Sequence, residues 1–322
     1  MKKTMFSFFL LCLLFIFSGC NHTHHKKTRE KVNKESHKFQ TASMEEHMVD
    51  GAIYYGEWTN GKANGCGLMI YPDKTVISGT WCHGKRDGIV RTTHPNDSIS
   101  FSKWRNGRYL CPVDTLEHEG SFGIDLSKYQ YGNWGSMLIL AKQDADTVYI
   151  PISFTILKAT EGKDIVDPLY SYHSKMAAQM RIPQGAYHVF SMYSDAQKQA
   201  NNFISAIQGG ELPDPLVLDI EGSTLEIPMK TFQKIKKHLK QWLQKVEKET
   251  NRKPLIYCCY DFFRNYGDSE IFYGYDFWVA NYTERSPYED WTIHQFTDQG
   301  RVLGWPYNVD IDFRPEKLFE RL

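Results

Sequence analysis

Four acidic side chains sit at the ends of apolar runs, where this chain could do chemistry. Asp219 and Glu221 close the run Leu216-Val217-Leu218-Asp219-Ile220-Glu221-Gly222. On an extended strand, residues two apart face the same side, about 6.6 Å apart along it. Two carboxyls at that spacing suit cleavage of a glycosidic bond: one protonates the leaving oxygen and the other supports the positive charge that develops on the sugar. Like charges held close resist double ionisation, so one acid keeps its proton near neutral pH. Asp125 ends Gly123-Ile124-Asp125-Leu126-Ser127, and Asp310 lies in Asn308-Val309-Asp310-Ile311-Asp312. A lone Asp-x-Glu is ordinarily a pair of solvated loop acids. The apolar strand before this one and the other acid-bearing strand ends tip the balance toward a site.

Positioning such acids takes a rigid sheet. From residue 120 the chain alternates short apolar strands with helical stretches. Strands are expected at Phe122–Leu126, Ser153–Ala159, Gln184–Phe190, Leu216–Ile220, Pro254–Tyr260, Phe277–Tyr282, Thr292–Phe296 and Val309–Phe313. Asp167-Pro168 reads as a helix start with proline at the first helical position. Ser194 with Gln197 reads as a capping box. Pro228 opens a long helix with Met229, Phe232, Ile235, Leu239, Trp242, Leu243 and Val246 on one face. The last connections, 283–291 and about 297–308, carry no helical period. The expected fold class is α/β: an irregular, TIM-like (β/α) barrel of eight parallel strands whose helices are missing near the C-terminus. Chemistry in such barrels gathers at the C-terminal ends of the strands.

The runs Gly123–Ser127, Ile156–Gly162, Gly185–Phe190, Leu218–Glu221 and Phe277–Tyr282 resemble, in order and spacing, glycoside hydrolase family 25, the Chalaropsis-type lysozymes. The resemblance implies an N-acetylmuramidase cutting the β-1,4 bond between N-acetylmuramic acid and N-acetylglucosamine in peptidoglycan, without metal or cofactor. It implies Glu221 as general acid. Asp219 would stabilise the oxocarbenium-like centre, act as nucleophile, or orient the sugar's 2-acetamido group, the last with net retention. Asp125 and Asp310 would hold the acetamido group or tune the pair. Tyr187, Trp278 and Tyr282 offer aromatic faces and hydroxyls to sugar rings, with Gln295 and Lys158 as further substrate contacts; barrel packing is the competing role for the aromatics. Glu161 reads as a positioning acid, and His173 and His188 as structural. Two features depart from the family pattern. Asp312 stands where the family usually has asparagine, so it either raises neighbouring pKa values or faces outward. The stretch 134–153 is longer and more polar than the usual first helix.

Upstream, a 23-residue period governs the chain. Trp58, Trp81 and Trp104 keep that step, as do Gly61, Gly84 and Gly107. Each unit reads as a strand, a tight turn and a return strand. Tyr55-Gly56-Glu57-Trp58-Thr59-Asn60-Gly61 resembles MORN repeats, with a degenerate third copy as a cap. Contact with protein or lipid is what the resemblance implies; a passive spacer against the next domain is the simpler role.

The 322 residues carry 38 basic and 38 acidic side chains. Zero formal charge disfavours a nucleic-acid binder that relies on bulk positive charge. Only one long apolar run exists, Met5–Phe17, behind Lys2 and Lys3. With Phe17-Ser18-Gly19-Cys20 it resembles a lipoprotein signal, implying cleavage before Cys20 and a membrane anchor through lipid on that thiol. Cleavage leaves a formal charge of −2. Residues 21–50 are charged and nearly free of large apolar side chains, a solvated tether. His22, His24 and His25 belong to that tether rather than to a metal site. Five cysteines then remain, an odd number; a Cys66–Cys82 bridge is one arrangement and buried free thiols the other. Adjacent Cys258 and Cys259 point to opposite faces and are poor partners for each other.

The expected organisation is thus a signal peptide at 1–19, a lipidated linker at 20–50, an all-β hairpin domain at 51–112 and the barrel at 119–322. The protein would be exported and membrane-anchored, at the outer membrane or periplasm if the cell has two membranes. The alternatives are a catalytically weak peptidoglycan-binding module and a scaffold lipoprotein built on the hairpins.

Overall fold

Three tight turns on the 23-residue step shape the first part of the chain. Asn60-Gly61, His83-Gly84 and Asn106-Gly107 all have positive φ at both positions. That is the two-residue hairpin turn whose twist matches paired strands. In the computed structural model, which describes residues 46–131, 134–143, 146–221, 227–283 and 291–315, these turns join strands into an antiparallel meander. Its strands are β1 (Glu46–Val49), β2 (Ala52–Thr59), β3 (Lys62–Ile70), β4 (Val76–Cys82), β5 (Lys85–Thr93), β6 (Ile99–Arg105) and β7 (Arg108–Pro112), seven in chain order. A register shift recurs just before Trp58, Trp81 and Trp104, one irregularity per repeat. Trp81 is buried and donates its indole N–H to the Gly67 carbonyl at 3.2 Å.

The sheet starts earlier than expected. Glu46–Val49, assigned from sequence to the linker, pair with Ala52–Tyr55. The signal peptide, Cys20 and residues 20–45 of the linker lie outside the described residues. No Cys66–Cys82 bridge forms: both thiols are free, and Cys66 stands opposite Thr80.

The second part of the chain runs β8 (Ser121–Leu126), β9 (Leu138–Gln143), β10 (Asp146–Pro151), β11 (Phe154–Glu161), β12 (Ile165–Val166), α1 (Tyr170–Met180), β13 (Gln184–Val189), α2 (Ala196–Ile207), β14 (Leu216–Ile220), α3 (Met229–Thr250), β15 (Leu255–Cys259), α4 (Tyr260–Tyr266), β16 (Phe277–Ala280), β17 (Ile293–Arg301) and β18 (Asn308–Arg314). Eight of these strands close a barrel in the order β11-β13-β14-β15-β16-β17-β18-β8, with β8 returning to β11. They fall on the eight apolar runs read from sequence.

The barrel is not all parallel, as the sequence reading expected. β18 runs antiparallel to both β17 and β8. The connection between β17 and β18 is only 302–307, too short for the crossover that a parallel neighbour requires. Nor is the first crossover a helix: β9 and β10 form an antiparallel hairpin there.

Three helix details differ as well. The first helix starts at Tyr170, and Asp167 instead accepts backbone N–H bonds from Leu169 and Lys128, each 2.9 Å. Asp195, not Ser194, caps α2, with Oδ1 accepting from the Lys198 N–H at 2.9 Å. Met229 is 54% exposed at the first residue of α3, whereas Phe232, Ile235, Leu239, Trp242, Leu243 and Val246 are buried. That stripe, with α2 and the outer faces of β13–β16, makes the largest core. Tyr55, Leu68 and Val76 of the meander share a second core with the outer side of β8 and with α1.

Candidate active site

Strand alternation decides which side chains enter the barrel. On β14, Leu216, Leu218 and Ile220 face the helices, while Val217 belongs to the inner cluster with Ile156, Tyr187, Leu255, Trp278 and Ile293. The inner parity carries on to Asp219. Glu221, the next residue of that parity, lies just past the strand end and is exposed. On β8 the inner positions are Gly123 and Asp125. A Cβ at Gly123 would stand 2.3 Å from the Phe154 ring, so glycine leaves room for the aromatic floor beneath the acids.

β18 brings two more carboxylates. Asp310 lies directly opposite Asp125 across the antiparallel pair. Asp312, two residues on, points the same way and is fully buried. Its Oδ1 accepts the Trp278 indole N–H at 2.8 Å. The sequence left Asp312 inward or outward; it is inward. The antiparallel direction of β18 is what delivers Asp310 to the catalytic end from the start of a strand rather than from its finish.

A single amide organises the centre. Gln295 donates Nε2 to Asp125 Oδ2 at 2.8 Å. Its Oε1 accepts the Tyr282 hydroxyl at 2.7 Å and the Tyr257 hydroxyl at 3.0 Å. Tyr257 escaped the sequence reading. It could have been found, since it shares the inner parity of β15 with Leu255. Asp219 Oδ1 is buried and has no hydrogen-bond partner among the described residues, and the same holds for Asp312 Oδ2.

The electrostatics follow from this crowding. Burial pushes Asp219 well above the usual carboxylate range, and Glu221 adds to the rise while Lys158 opposes it. Burial and then Asp312 push Asp125 up, against the pull of the Gln295 hydrogen bond, with Glu221 adding a smaller rise. Burial and then Asp310 raise Asp312, against the Trp278 bond. The crowding therefore favours the protonated form of each of these carboxyls relative to a solvated one.

The other sequence-predicted residues separate by role. Tyr187 is buried in the inner cluster, edge-on to Trp278 with ring centroids 6.4 Å apart. Burial, and then the charges of Asp125, Asp219 and Glu221, push its hydroxyl well above the usual phenol range. Trp278 is 2% exposed and bound to Asp312, so its position fits packing rather than a sugar platform. Tyr282 is 43% exposed just past the end of β16, and its hydroxyl turns in to Gln295. Lys158 is paired with Glu161 at 2.7 Å.

The two histidines are buried in the scaffold. His188 stacks on Trp242 at 5.4 Å and lies 2.7 Å from Thr160 Oγ1. His173 takes the Trp134 indole N–H at 3.1 Å. Burial lowers them to about 4 and about 3, so both are neutral in the fold.

Inward acids at one end of a closed barrel, with an exposed acid and a tyrosine at the mouth, suit acid-catalysed cleavage of a bond to a sugar. Comparison with known proteins bears on the family. Lysozyme M1 of Streptomyces globisporus is 27% identical over 222 residues, covering 63% of this chain and 69% of that protein. Uncharacterized protein YegX of Escherichia coli (strain K12) is 33% identical over 195 residues, covering 59% of this chain and 67% of that protein. A bacterial lysozyme structure from Streptomyces coelicolor has 26% identity and a TM-score of 0.49, covering 61% of this chain and 92% of that one. The sequence profile described as Glycosyl hydrolases family 25 matches residues 124–305, more than half of the chain. The chain belongs to that family and is a glycoside hydrolase.

Proposed function

We propose that the protein is a peptidoglycan N-acetylmuramidase that cuts the β-1,4 bond between N-acetylmuramic acid and N-acetylglucosamine. One observation carries the mechanism: Asp219 has a buried, unpartnered oxygen two residues before the exposed Glu221. A buried acceptor without a partner is costly in a folded protein. The N–H of a 2-acetamido group would satisfy it and be held in place. Glu221, at the mouth, protonates the leaving oxygen as the C1–O bond breaks. The acetamido carbonyl oxygen attacks C1 from the opposite face, giving a cyclic oxazolinium whose N–H is held by Asp219. Water then adds to C1 as Glu221 takes its proton, and the product keeps its starting configuration. Asp125, fixed by Gln295, and Asp310 beside it shape the wall that receives the acetamido group.

The same reading includes the anchor and the hairpins. The meander keeps the MORN-like period and serves as a rigid platform on the barrel. Lipid on Cys20 would tether the enzyme to a membrane facing the wall, at the outer membrane or periplasm of a cell with two membranes. Labelled fatty acid that remains on a Cys20→Ala protein would remove the anchor.

The deciding experiment is mass analysis of fragments from defined peptidoglycan, with the anomer of the first product followed by NMR. Muramic acid at the new reducing ends, formed as the β-anomer, is expected. Ends carrying N-acetylglucosamine would remove the muramidase reading, and an α-anomer would remove the retaining route. Tight binding to sacculi with no turnover would leave a binding module instead.

A further inference from the structure

A second polar hollow lies on the catalytic end of the barrel. It is a cavity of about 410 Å³ between the loops that follow β11 and β13, and its lining includes Glu161, Lys163, Asp164, Tyr193 and Lys198. Glu161 links it to the acids: it forms one wall and pairs with Lys158, whose charge reaches Asp219.

The walls are built rather than loose. Both are pinned by amides from successive turns of α2. Asn202 donates Nδ2 to the carbonyls of Gly162 and Ile165, each at 3.1 Å. Gln199 accepts from the Ser191 N–H at 2.7 Å and donates to the carbonyls of Ser191 and Ser194, each at 3.0 Å. Gly162 turns the first loop with φ 57° and donates its N–H to Val189 at 3.0 Å. A hollow held open this way needs little ordering on binding.

Its chemistry is specific. Among the described residues, Lys163, Lys198 and Asp164 have no ion-pair partner, so two cations and one anion remain unspent. Glu161 is already neutralised by Lys158, and Asp195 caps α2. At the rim Tyr193 is 98% exposed. A fully exposed tyrosine beside unpaired charges is what an interface uses to cover a polar chain.

We propose, on the muramidase reading above, that this cavity is a subsite for the peptide stem carried by the muramic acid lactyl group. Lys163 and Lys198 meet its carboxylates, Asp164 meets its side-chain amine, and Tyr193 covers its backbone. The enzyme then reads a peptide-bearing strand, not the sugar alone.

The test uses the full chain on two substrates: intact sacculi, and the same sacculi freed of stems by an amidase. New reducing ends give kcat and KM for wild type, Lys163→Ala/Lys198→Ala, Tyr193→Ala and Lys163→Arg/Lys198→Arg. On intact sacculi the double alanine variant should raise KM about fivefold at low salt, as expected for losing two exposed ion pairs, and the arginine pair should restore it. On stripped strands all four proteins should behave alike, and wild type should show the higher KM there. Equal losses on both substrates, or no loss on either, would overturn the stem subsite while leaving muramidase activity standing. Wild-type protein that cuts neither substrate would remove the muramidase reading itself, and the subsite with it.

Discussion

Gln295 donates its amide to Asp125 across 2.8 Å, and that contact reaches from β17 to β8 over the intervening strand β18, at the level of the acids. The donor end holds Asp125 down from where burial would put it, while the acceptor end takes two tyrosine hydroxyls. Replacing the amide with a carboxylate reverses the first effect. In Gln295→Glu, an ionised side chain cannot donate to Asp125 and repels it. At pH 7 kcat is expected to fall about 10- to 100-fold, in line with the loss of a buried hydrogen bond. Protonated glutamate can donate again, so activity should recover as pH falls. A pH–rate profile checks this; a loss that is flat with pH would assign Gln295 to packing alone.

Glu221 is exposed at the end of β14, so its removal should leave the fold intact. Glu221→Gln is expected to lower the rate on peptidoglycan about 10²- to 10⁴-fold, the usual contribution of a general acid, with unfolding free energy changed by less than about 0.5 kcal/mol. The loss should shrink on an aryl glycoside whose leaving group needs no proton. An equal loss on both substrates would take the acid role from Glu221.

Asp312 carries a stability prediction with a definite sign. Its folded pKa is raised, first by burial and then by Asp310. The folded chain therefore holds a proton that the unfolded chain releases above about pH 4. That group's contribution to stability is complete below pH 4 and is lost as pH rises toward its folded pKa. Asp312→Asn removes the dependence while its amide oxygen can still accept from Trp278. The variant should gain about 1 kcal/mol or more over wild type at pH 8, and gain least near pH 4. Urea unfolding at the two pH values measures it. A gain independent of pH would place the proton elsewhere.

The barrel was legible because its strands are apolar runs bounded by polar turns, and the paired acids because strand parity is arithmetic. What the sequence hid has common causes. The direction of β18 depends on the length of its connection to β17, a property of the whole barrel rather than of local pattern. The β9–β10 hairpin stands where the family resemblance implies a first helix, and Leu138–Gln143 and Asp146–Pro151 lack the strict alternation of a half-buried strand that would have marked it; Leu138, Ile139 and Ala141 are buried on a strand that also contacts the barrel. Asp195 displaced Ser194 as a cap because two neighbouring oxygens compete for one helix end, and local sequence ranks them equally. Gln295 was chosen as a sugar contact, yet both ends of its amide are spent inside the protein. A hydrogen-bond hub is a three-dimensional fact that spacing does not encode.

Two arginines on the seam between meander and barrel should respond with opposite signs. Arg181, in the left-handed position that ends α1, reaches the meander's turns: Nη1 meets Asp97 at 2.6 Å and the His94 carbonyl at 3.1 Å, and Nη2 meets the carbonyls of Lys74 and Thr93. Its partners are largely at the surface, where a truncated contact can be rehydrated. Arg181→Ala should cost about 1–2 kcal/mol. Arg91, by contrast, is 1% exposed. Its Nη1 donates to the Ile152 carbonyl at 3.3 Å, Nε has no partner among the described residues, and burial lowers the group to about 10. A buried cation so thinly compensated is held against its hydration, and an apolar side chain of similar length removes that cost. Arg91→Met is therefore expected to be neutral or stabilising by about 1 kcal/mol, with the lost Ile152 contact as the opposing effect. Urea unfolding of the two variants side by side reads both signs. Destabilisation of Arg91→Met by more than Arg181→Ala would mean that the buried guanidinium, not the exposed clasp, fastens the two sheets together.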